Sequence, residues 1–154
     1  VDAYRGDRMK QCLIDFFKTM GGHENDTIKY NNHTIAIYKN ADLIGFNGHN
    51  GLMDGHIIEE IPNKSRIEKD VVVIACVSYY YFEHYLLKYN AYPIITTSNL
   101  LAPEAYIFSA IIDAWALMLP DNKIKEAAGK AMAKYQKANE NACINTFITG
   151  WRNY

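Results

Sequence analysis

The stretch Asp70–Ala75, DVVVIA, is the clearest buried strand of this sequence. Its β-branched residues follow one another without a polar interruption, which is typical of a strand covered on both faces of a parallel sheet. A second apolar run, ADLIGF at Ala41–Phe46, precedes it, and a third, YPIITT at Tyr92–Thr97, follows it. These three runs predict strands of one sheet, and they therefore decide the fold class.

Helical patterns flank these runs. Apolar residues at helical spacing predict a helix over Arg8–Thr19, which Gly21 and Gly22 end. Further helices are predicted at Ser78–Tyr89, Ala102–Met118 and Asn122–Asn139. Asn141–Ile148 either continues the last helix or forms a separate final turn. The order of elements predicts an α/β fold, in which a mostly parallel sheet carries helices on both faces.

The beginning of the chain has a less regular pattern. Val1–Tyr4 has the pattern of the last residues of a strand, so we expect a first strand of which only the end is present. Thr34–Tyr38 predicts a strand, although a short crossover helix within Glu24–Asn40 is the alternative. The polar segment Asn50–Lys69 predicts a loop. The 154 residues contain no internal repeat or linker, so we expect a single domain over 1–154 that lacks part of its first strand.

The composition excludes several classes of function. With 49% hydrophobic and 21% charged residues, the chain is typical of globular proteins. Its 16 Lys and Arg nearly balance its 17 Asp and Glu, so we expect no nucleic-acid partner. No apolar stretch reaches about 18 residues, so no membrane span is predicted. The three cysteines, Cys12, Cys76 and Cys143, match no disulfide framework, and we expect Cys12 to be an inert core residue.

His49 and Cys76 each follow the end of a predicted strand. The carboxyl ends of parallel strands are where α/β proteins form their sites. Cys76 also precedes a helix, whose dipole favours a thiolate, and His49 could take its proton and later protonate a leaving amine. The backbone N–H groups of Asn50 and Cys76 are candidate donors to the oxyanion of an acyl intermediate. These parts together describe a cysteine peptidase or a related acyl-transfer enzyme.

The same residues carry a family resemblance. An apolar strand that ends in GHNG at 48–51, followed by one that ends in AC at 75–76, resembles the caspase-like fold of caspases, gingipains, clostripain and legumain. The resemblance covers roughly Ala41 to Ser78. It implies a three-layer caspase-like sandwich with His49 as catalytic histidine and Cys76 as nucleophile, acting on a peptide or protein substrate without a cofactor.

Two positions depart from the pattern of that clan. Asn50 stands where the clan usually has glycine directly after the histidine, although asparagine tolerates the left-handed conformation well enough to keep the turn. Ile74 lies two residues before the cysteine, where members specific for arginine or lysine often carry an acid. The sequence therefore gives no support for a basic P1 preference.

Further polar residues are candidates for the walls of a substrate groove. Thr97, Ser98 and Asn99 end the third apolar run, where a hydrogen-bonded turn is the simpler interpretation. Glu104 begins the next predicted helix, and Arg5 follows the partial first strand. We retain all five as groove candidates.

Other functions remain open from the sequence. A metal site at His49, Asp54 and His56 is conceivable, but no HExxH pattern or dense ligand spacing supports it, and we expect no metal. A catalytically inactive α/β binding module of the same fold is one alternative. A flavodoxin-like domain that binds a small ligand at the strand ends is another. Edge strands of such sheets often pair between subunits, so a homodimer is possible.

Overall fold

The computed structural model describes residues 1–151 of the chain. The strands are β1 (Asn25–Tyr30), β2 (His33–Tyr38), β3 (Leu43–Asn47), β4 (Lys69–Ile74), β5 (Ala91–Thr97) and β6 (Phe147–Ile148). The helices are α1 (Met9–Met20), α2 (Ser78–Lys88), α3 (Ala105–Ala116), α4 (Asp121–Gln136) and α5 (Glu140–Thr146). A single 3-10 turn at Gly6–Arg8 leads into α1.

The main sheet has the strand order β3-β4-β5-β6. β3 and β5 both run parallel to β4, and only β6 is antiparallel to its neighbour. The protein is thus an α/β protein with a mixed, mostly parallel sheet, which confirms the fold class predicted from the three apolar runs. The last three residues of the predicted domain, 152–154, lie outside the described residues.

Helices cover both faces of this sheet. Side chains of β4 alternate between two cores: Val71 and Val73 pack with α1 and α2, whereas Val72 and Ile74 pack with α3 and α4. All four valine and isoleucine side chains are fully buried, which explains why the run in β4 has no polar interruption.

Aromatic rings hold the first face together. Phe16 of α1, Phe46 of β3 and Phe82 of α2 pack with ring centroids 5.5–6.2 Å apart. On the opposite face, α3 lies so close to β3 that a Cβ at Gly45 would be 2.1 Å from the ring of Phe108. These contacts fix β3, the strand that leads to His49, between two helical layers.

The structure corrects the prediction for the start of the chain. Val1–Tyr4 forms no strand, and its residues are exposed. The hydroxyl of Tyr4 donates to Asp15 of α1 at 2.9 Å, so this segment lies against the first helix. The local β pattern was misleading because a strand also needs a neighbour with which to pair.

The region before β3 is a β-hairpin. The predicted strand at Thr34–Tyr38 is confirmed as β2, and the alternative crossover helix is wrong. Its partner β1 was not predicted. Asn31 and Asn32 join them with φ values of 46° and 65°, and such a pair of left-handed residues matches the twist of a tight hairpin. The two strands form a sheet of their own.

The end of the chain divides into a helix and a short strand. The side chain of Asn139 accepts the Ala142 N–H at 2.9 Å and so begins α5 as a separate helix. Strand β6 follows directly, and a strand of two residues is too short to give a sequence pattern. None of the helices within residues 1–151 is long and apolar enough to cross a membrane.

Candidate functional site

The ends of β3 and β4 bring His49 and Cys76 to one edge of the sheet. Asn47 lies opposite Ile74 in the parallel register of the two strands. His49 and Cys76 each follow two residues later, on strands that lie about 4.8 Å apart. The Gly48 N–H donates to the Ile74 carbonyl at 3.0 Å and extends the pairing beyond the strands. The two residues are therefore neighbours along the carboxyl edge.

His49 forms a pair with Asp54 in the following turn. Its Nε2 lies 2.5 Å from Oδ2 of Asp54, and the two side chains are 58% and 49% exposed. Gly55, with a φ of 82°, allows the chain to turn back directly after Asp54. A carboxylate in this place orients an imidazole and stabilises its protonated form. Because Asp54 occupies Nε2, Nδ1 is the nitrogen left for proton transfer.

The thiol of Cys76 lies partly buried below a neighbouring loop. Its Sγ donates to the Leu101 carbonyl at 3.4 Å. The next residue, Val77, has left-handed angles of φ 50° and ψ 34°, an unusual conformation for a β-branched side chain. Its N–H donates to the Asn99 carbonyl at 3.0 Å. The segment after β5 therefore holds both the thiol and the strained turn that follows it.

The thiol and the imidazole make no direct hydrogen bond. Within residues 1–151, the hydrogen bonds of the two side chains go to Leu101 and to Asp54 instead. Catalytic hydrogen bonds are often long or misaligned in a protein without substrate. The backbone places the two residues beyond paired strand ends, whereas their side chains make hydrogen bonds to other partners.

A buried polar cluster supports the turn below Cys76. The Ser78 hydroxyl donates to the Val73 carbonyl at 2.8 Å and accepts the Thr97 N–H at 3.0 Å. The Thr97 hydroxyl donates to the Ala75 carbonyl and accepts the Ser78 N–H at 3.2 Å. Both hydroxyl residues are fully buried. Thr97 thus lies beneath the edge and joins the end of β5 to the start of α2.

The other groove candidates lie in different places. Asn99 is exposed and beside the Cys76 turn, and Glu104 is exposed at the start of α3. Ser98 donates its hydroxyl to the Thr146 carbonyl at 3.2 Å, which joins β5 to the end of α5. Arg5 pairs with Asp7 at 3.2 Å in the turn before α1. Of the five groove candidates, Thr97 and Asn99 therefore have hydrogen bonds to the turn that carries the thiol.

The candidate oxyanion donors have no competing acceptor. The N–H groups of Val77 and Ser78 donate to acceptors of the loop after β5 and of the turn itself. Those of Asn50 and Cys76 donate to no backbone or side-chain acceptor among residues 1–151. Cys76 is partly exposed, so its N–H can meet a carbonyl oxygen that enters between the two strand ends, whereas the N–H of the fully buried Asn50 can do so only after a shift of its turn.

The remaining cysteines have less reactive surroundings. Burial, with smaller contributions from Asp15 and Asp2, raises the pKa of the Cys12 thiol. Burial alone raises the pKa of Cys143. A raised pKa leaves less thiolate at neutral pH, so both thiols serve as internal references for Cys76.

The described residues form no metal centre at this edge, and two surface clefts are lined by other residues. Within residues 1–151, no group of three His, Cys, Asp or Glu side chains is arranged to hold a metal ion. A cleft of about 600 Å³ lies between α1 and the loop at 59–61, and one of about 320 Å³ lies between α3 and α4. Neither of these two clefts is lined by His49 or Cys76.

Comparison with models of protein families, with curated proteins and with solved structures finds no match for this chain.

Proposed function

We propose that this chain is a caspase-like cysteine peptidase domain that hydrolyses peptide bonds with Cys76 as nucleophile and His49 as base. One observation carries the proposal. The two residues stand at equivalent positions beyond paired parallel strands, and a carboxylate, Asp54, already holds the histidine. A nucleophile, a base and a group that orients the base form the arrangement on which acyl transfer depends.

The reaction follows from these atoms. Nδ1 of His49 takes the thiol proton as Sγ of Cys76 attacks the carbonyl carbon of the substrate. The N–H of Cys76, together with that of the buried Asn50 after a shift of its turn, stabilises the oxyanion. The imidazolium then gives its proton to the leaving amine, and a thioester to Cys76 remains. A water molecule, deprotonated by His49, hydrolyses the thioester and restores the thiol.

Substrate binding must first redirect two side chains. The thiol has to leave the Leu101 carbonyl, and the His49 ring has to approach it. The ring is more than half exposed, and the thiol makes only a weak S–H hydrogen bond, so neither group is held tightly in its present place. An extended peptide that replaces the loop carbonyl at Sγ would supply this change.

The charges along the edge restrict the substrate. The segments 47–56, 75–84 and 97–106 contain Asp54, Glu83 and Glu104 but no lysine or arginine. Acidic side chains next to the scissile bond would find no lysine or arginine in these segments and would meet like charges. We therefore expect peptides with neutral residues around the scissile bond to be better substrates than acidic ones.

A catalytically inactive module of the same fold is the second candidate. It is favoured by the hydrogen bond of the Cys76 thiol to Leu101, because this bond directs the S–H to the loop carbonyl and not to the imidazole. A flavodoxin-like ligand binder has less support, since neither cleft lies at the carboxyl edge. A protein of that kind would show the absorbance of a bound chromophore or nucleotide.

Hydrolysis of a fluorogenic peptide library tests the proposal. Cys76→Ala and His49→Ala should each abolish cleavage and leave the fold intact. Cys143→Ala and His33→Ala are the matched controls, because one removes a buried thiol on α5 and the other an exposed imidazole on the hairpin. Cleavage that survives Cys76→Ala excludes the proposed nucleophile. A wild-type protein that cleaves no peptide supports the inactive module.

A further inference from the structure

We infer that Asn50 is a positioning residue that sets the distance between His49 and Cys76, an inference that rests on the proposed function. Asn50 is fully buried, although its neighbours His49, Met53 and Asp54 are exposed. A buried amide is costly unless its donor and acceptor are both satisfied. A polar side chain is therefore buried within a turn at the surface, and its hydrogen-bond partners indicate its role.

Both ends of the Asn50 amide are used in the site. Its Nδ2 donates to the carbonyl of Cys76 at 2.6 Å. Its Oδ1 accepts the N–H of Met53 at 3.2 Å. The orientation of the amide is unambiguous, because a carbonyl requires a donor and an N–H requires an acceptor. One side chain thus joins the peptide of the nucleophile to the turn that carries Asp54.

This bridge differs from the role that the sequence suggests for Asn50. The residue does not have a positive φ, so it is not a substitute for a glycine in a left-handed turn. Its contribution is the side chain, which reaches across from the β3 end to the β4 end. Without it, one backbone hydrogen bond between Gly48 and Ile74 would be the nearest link between the two strand ends.

The consequence is kinetic as well as structural. His49 precedes Asn50 directly, and Asp54, which holds the imidazole, lies one residue beyond Met53. A loss of the bridge lets both groups move relative to Sγ. A misplacement of about 1 Å in a catalytic group can cost up to a hundredfold in rate. We expect Asn50→Ala to remove most of the effect of His49 on the thiol.

The test is a double-mutant cycle on Cys76 alkylation by iodoacetamide at pH 7, read by peptide mass. In the wild-type background, His49→Ala should slow labelling at least tenfold. Asn50→Ala should slow labelling by a similar factor. The double variant should label less than twofold more slowly than either single variant. Asn63→Ala is the matched control, because its Nδ2 also donates to a carbonyl, that of Lys88, at 3.2 Å, but away from the edge. It should leave labelling unchanged.

Each other outcome overturns a defined part of the inference. If His49→Ala slows labelling as much in the Asn50→Ala background as in the wild type, then Asn50 does not position the pair, and the dyad still stands. If His49→Ala has no effect in the wild type, the dyad and the inference both fail. Thermal unfolding is measured in parallel. If Asn50→Ala does not fold, Asn50→Ser takes its place, since its hydroxyl is too short to reach the Cys76 carbonyl.

Discussion

Gly45→Ala should destabilise the protein because β3 has no room for a side chain below α3. A Cβ at Gly45 would lie 2.1 Å from Cζ and 2.7 Å from Cε2 of Phe108. Overpacking of this kind costs about 1–3 kcal/mol. The clash is with the far end of a partly buried ring that can turn, so we expect the lower part of that range, about 1–2 kcal/mol. In a domain of this size, that loss lowers Tm by about 2–8 °C.

Thermal and urea unfolding measure this loss against a control in the same segment. Gly48→Ala places a Cβ 3.9 Å from its nearest neighbour, on the ring of Phe46, so it should cost nothing. Replacing Phe108 by Leu should restore part of the stability of Gly45→Ala, because the smaller side chain makes space. Equal stability of the two glycine variants, or no recovery with Phe108→Leu, would refute the packing of α3 on β3.

Other predictions concern electrostatics. Asp54→Asn should slow alkylation of the candidate nucleophile by no more than about fivefold, because an exposed pair such as that with His49 is worth about 0.2–1 kcal/mol; a loss as large as that of His49→Ala would contradict this. The hydrogen bond that the Tyr92 hydroxyl donates to Asp121, together with burial, raises the pKa of Tyr92 to about 12. Asp121→Asn should lower that pKa toward 10.0, as an NMR titration of labelled tyrosine would show, and an unchanged value would rule out the hydrogen bond as the cause. Burial of the Lys69 ammonium lowers its pKa below 10.5. Between the folded pKa and 10.5 the unfolded chain binds the extra proton, so the free energy of unfolding should rise with pH in that window. Urea unfolding at several pH values should show this rise in the wild type and not in Lys69→Met.

The parts of the fold that sequence predicts are those with a strong burial pattern. β4 is covered on both faces, so its apolar run identifies it without knowledge of its neighbours. The places of His49 and Cys76 follow, because the carboxyl ends of parallel strands share one edge. In contrast, β1 is exposed along its whole length and leaves no burial pattern. The Asn31-Asn32 pair, which is typical of a tight hairpin turn, was the available signal.

The contacts within the candidate site depend on turn geometry that no periodicity encodes. Asp54 reaches His49 because the chain turns between them, and Gly55 directly after Asp54 has a left-handed conformation that lets the chain turn again. The flanking glycines at 51 and 55 indicate a turn, but they do not show which acidic side chain the turn brings to His49. The burial of Asn50 depends on tertiary structure, since its amide donates to the Cys76 carbonyl at the end of the neighbouring strand. Such contacts require the folded structure.

The central claim is that His49 activates Cys76. The most direct measurement is the rate of iodoacetamide labelling of each cysteine as a function of pH, in the wild type and in His49→Ala. An ordinary thiol with a pKa of about 8.5 labels roughly 75 times more slowly at about pH 6.5 than at about pH 9. We predict that the labelling rate of Cys76 falls by less than about tenfold over this range. We also predict that His49→Ala restores the steep dependence of an ordinary thiol.

The buried thiols supply the reference in the same sample. Cys12 and Cys143, whose pKa values are raised by burial, should label slowly at every pH below neutrality. A Cys76 that labels with the same steep pH dependence as an ordinary thiol, and that does not respond to His49→Ala, would contradict the account. The protein would then be an α/β domain whose cysteine and histidine are neighbours without being a dyad.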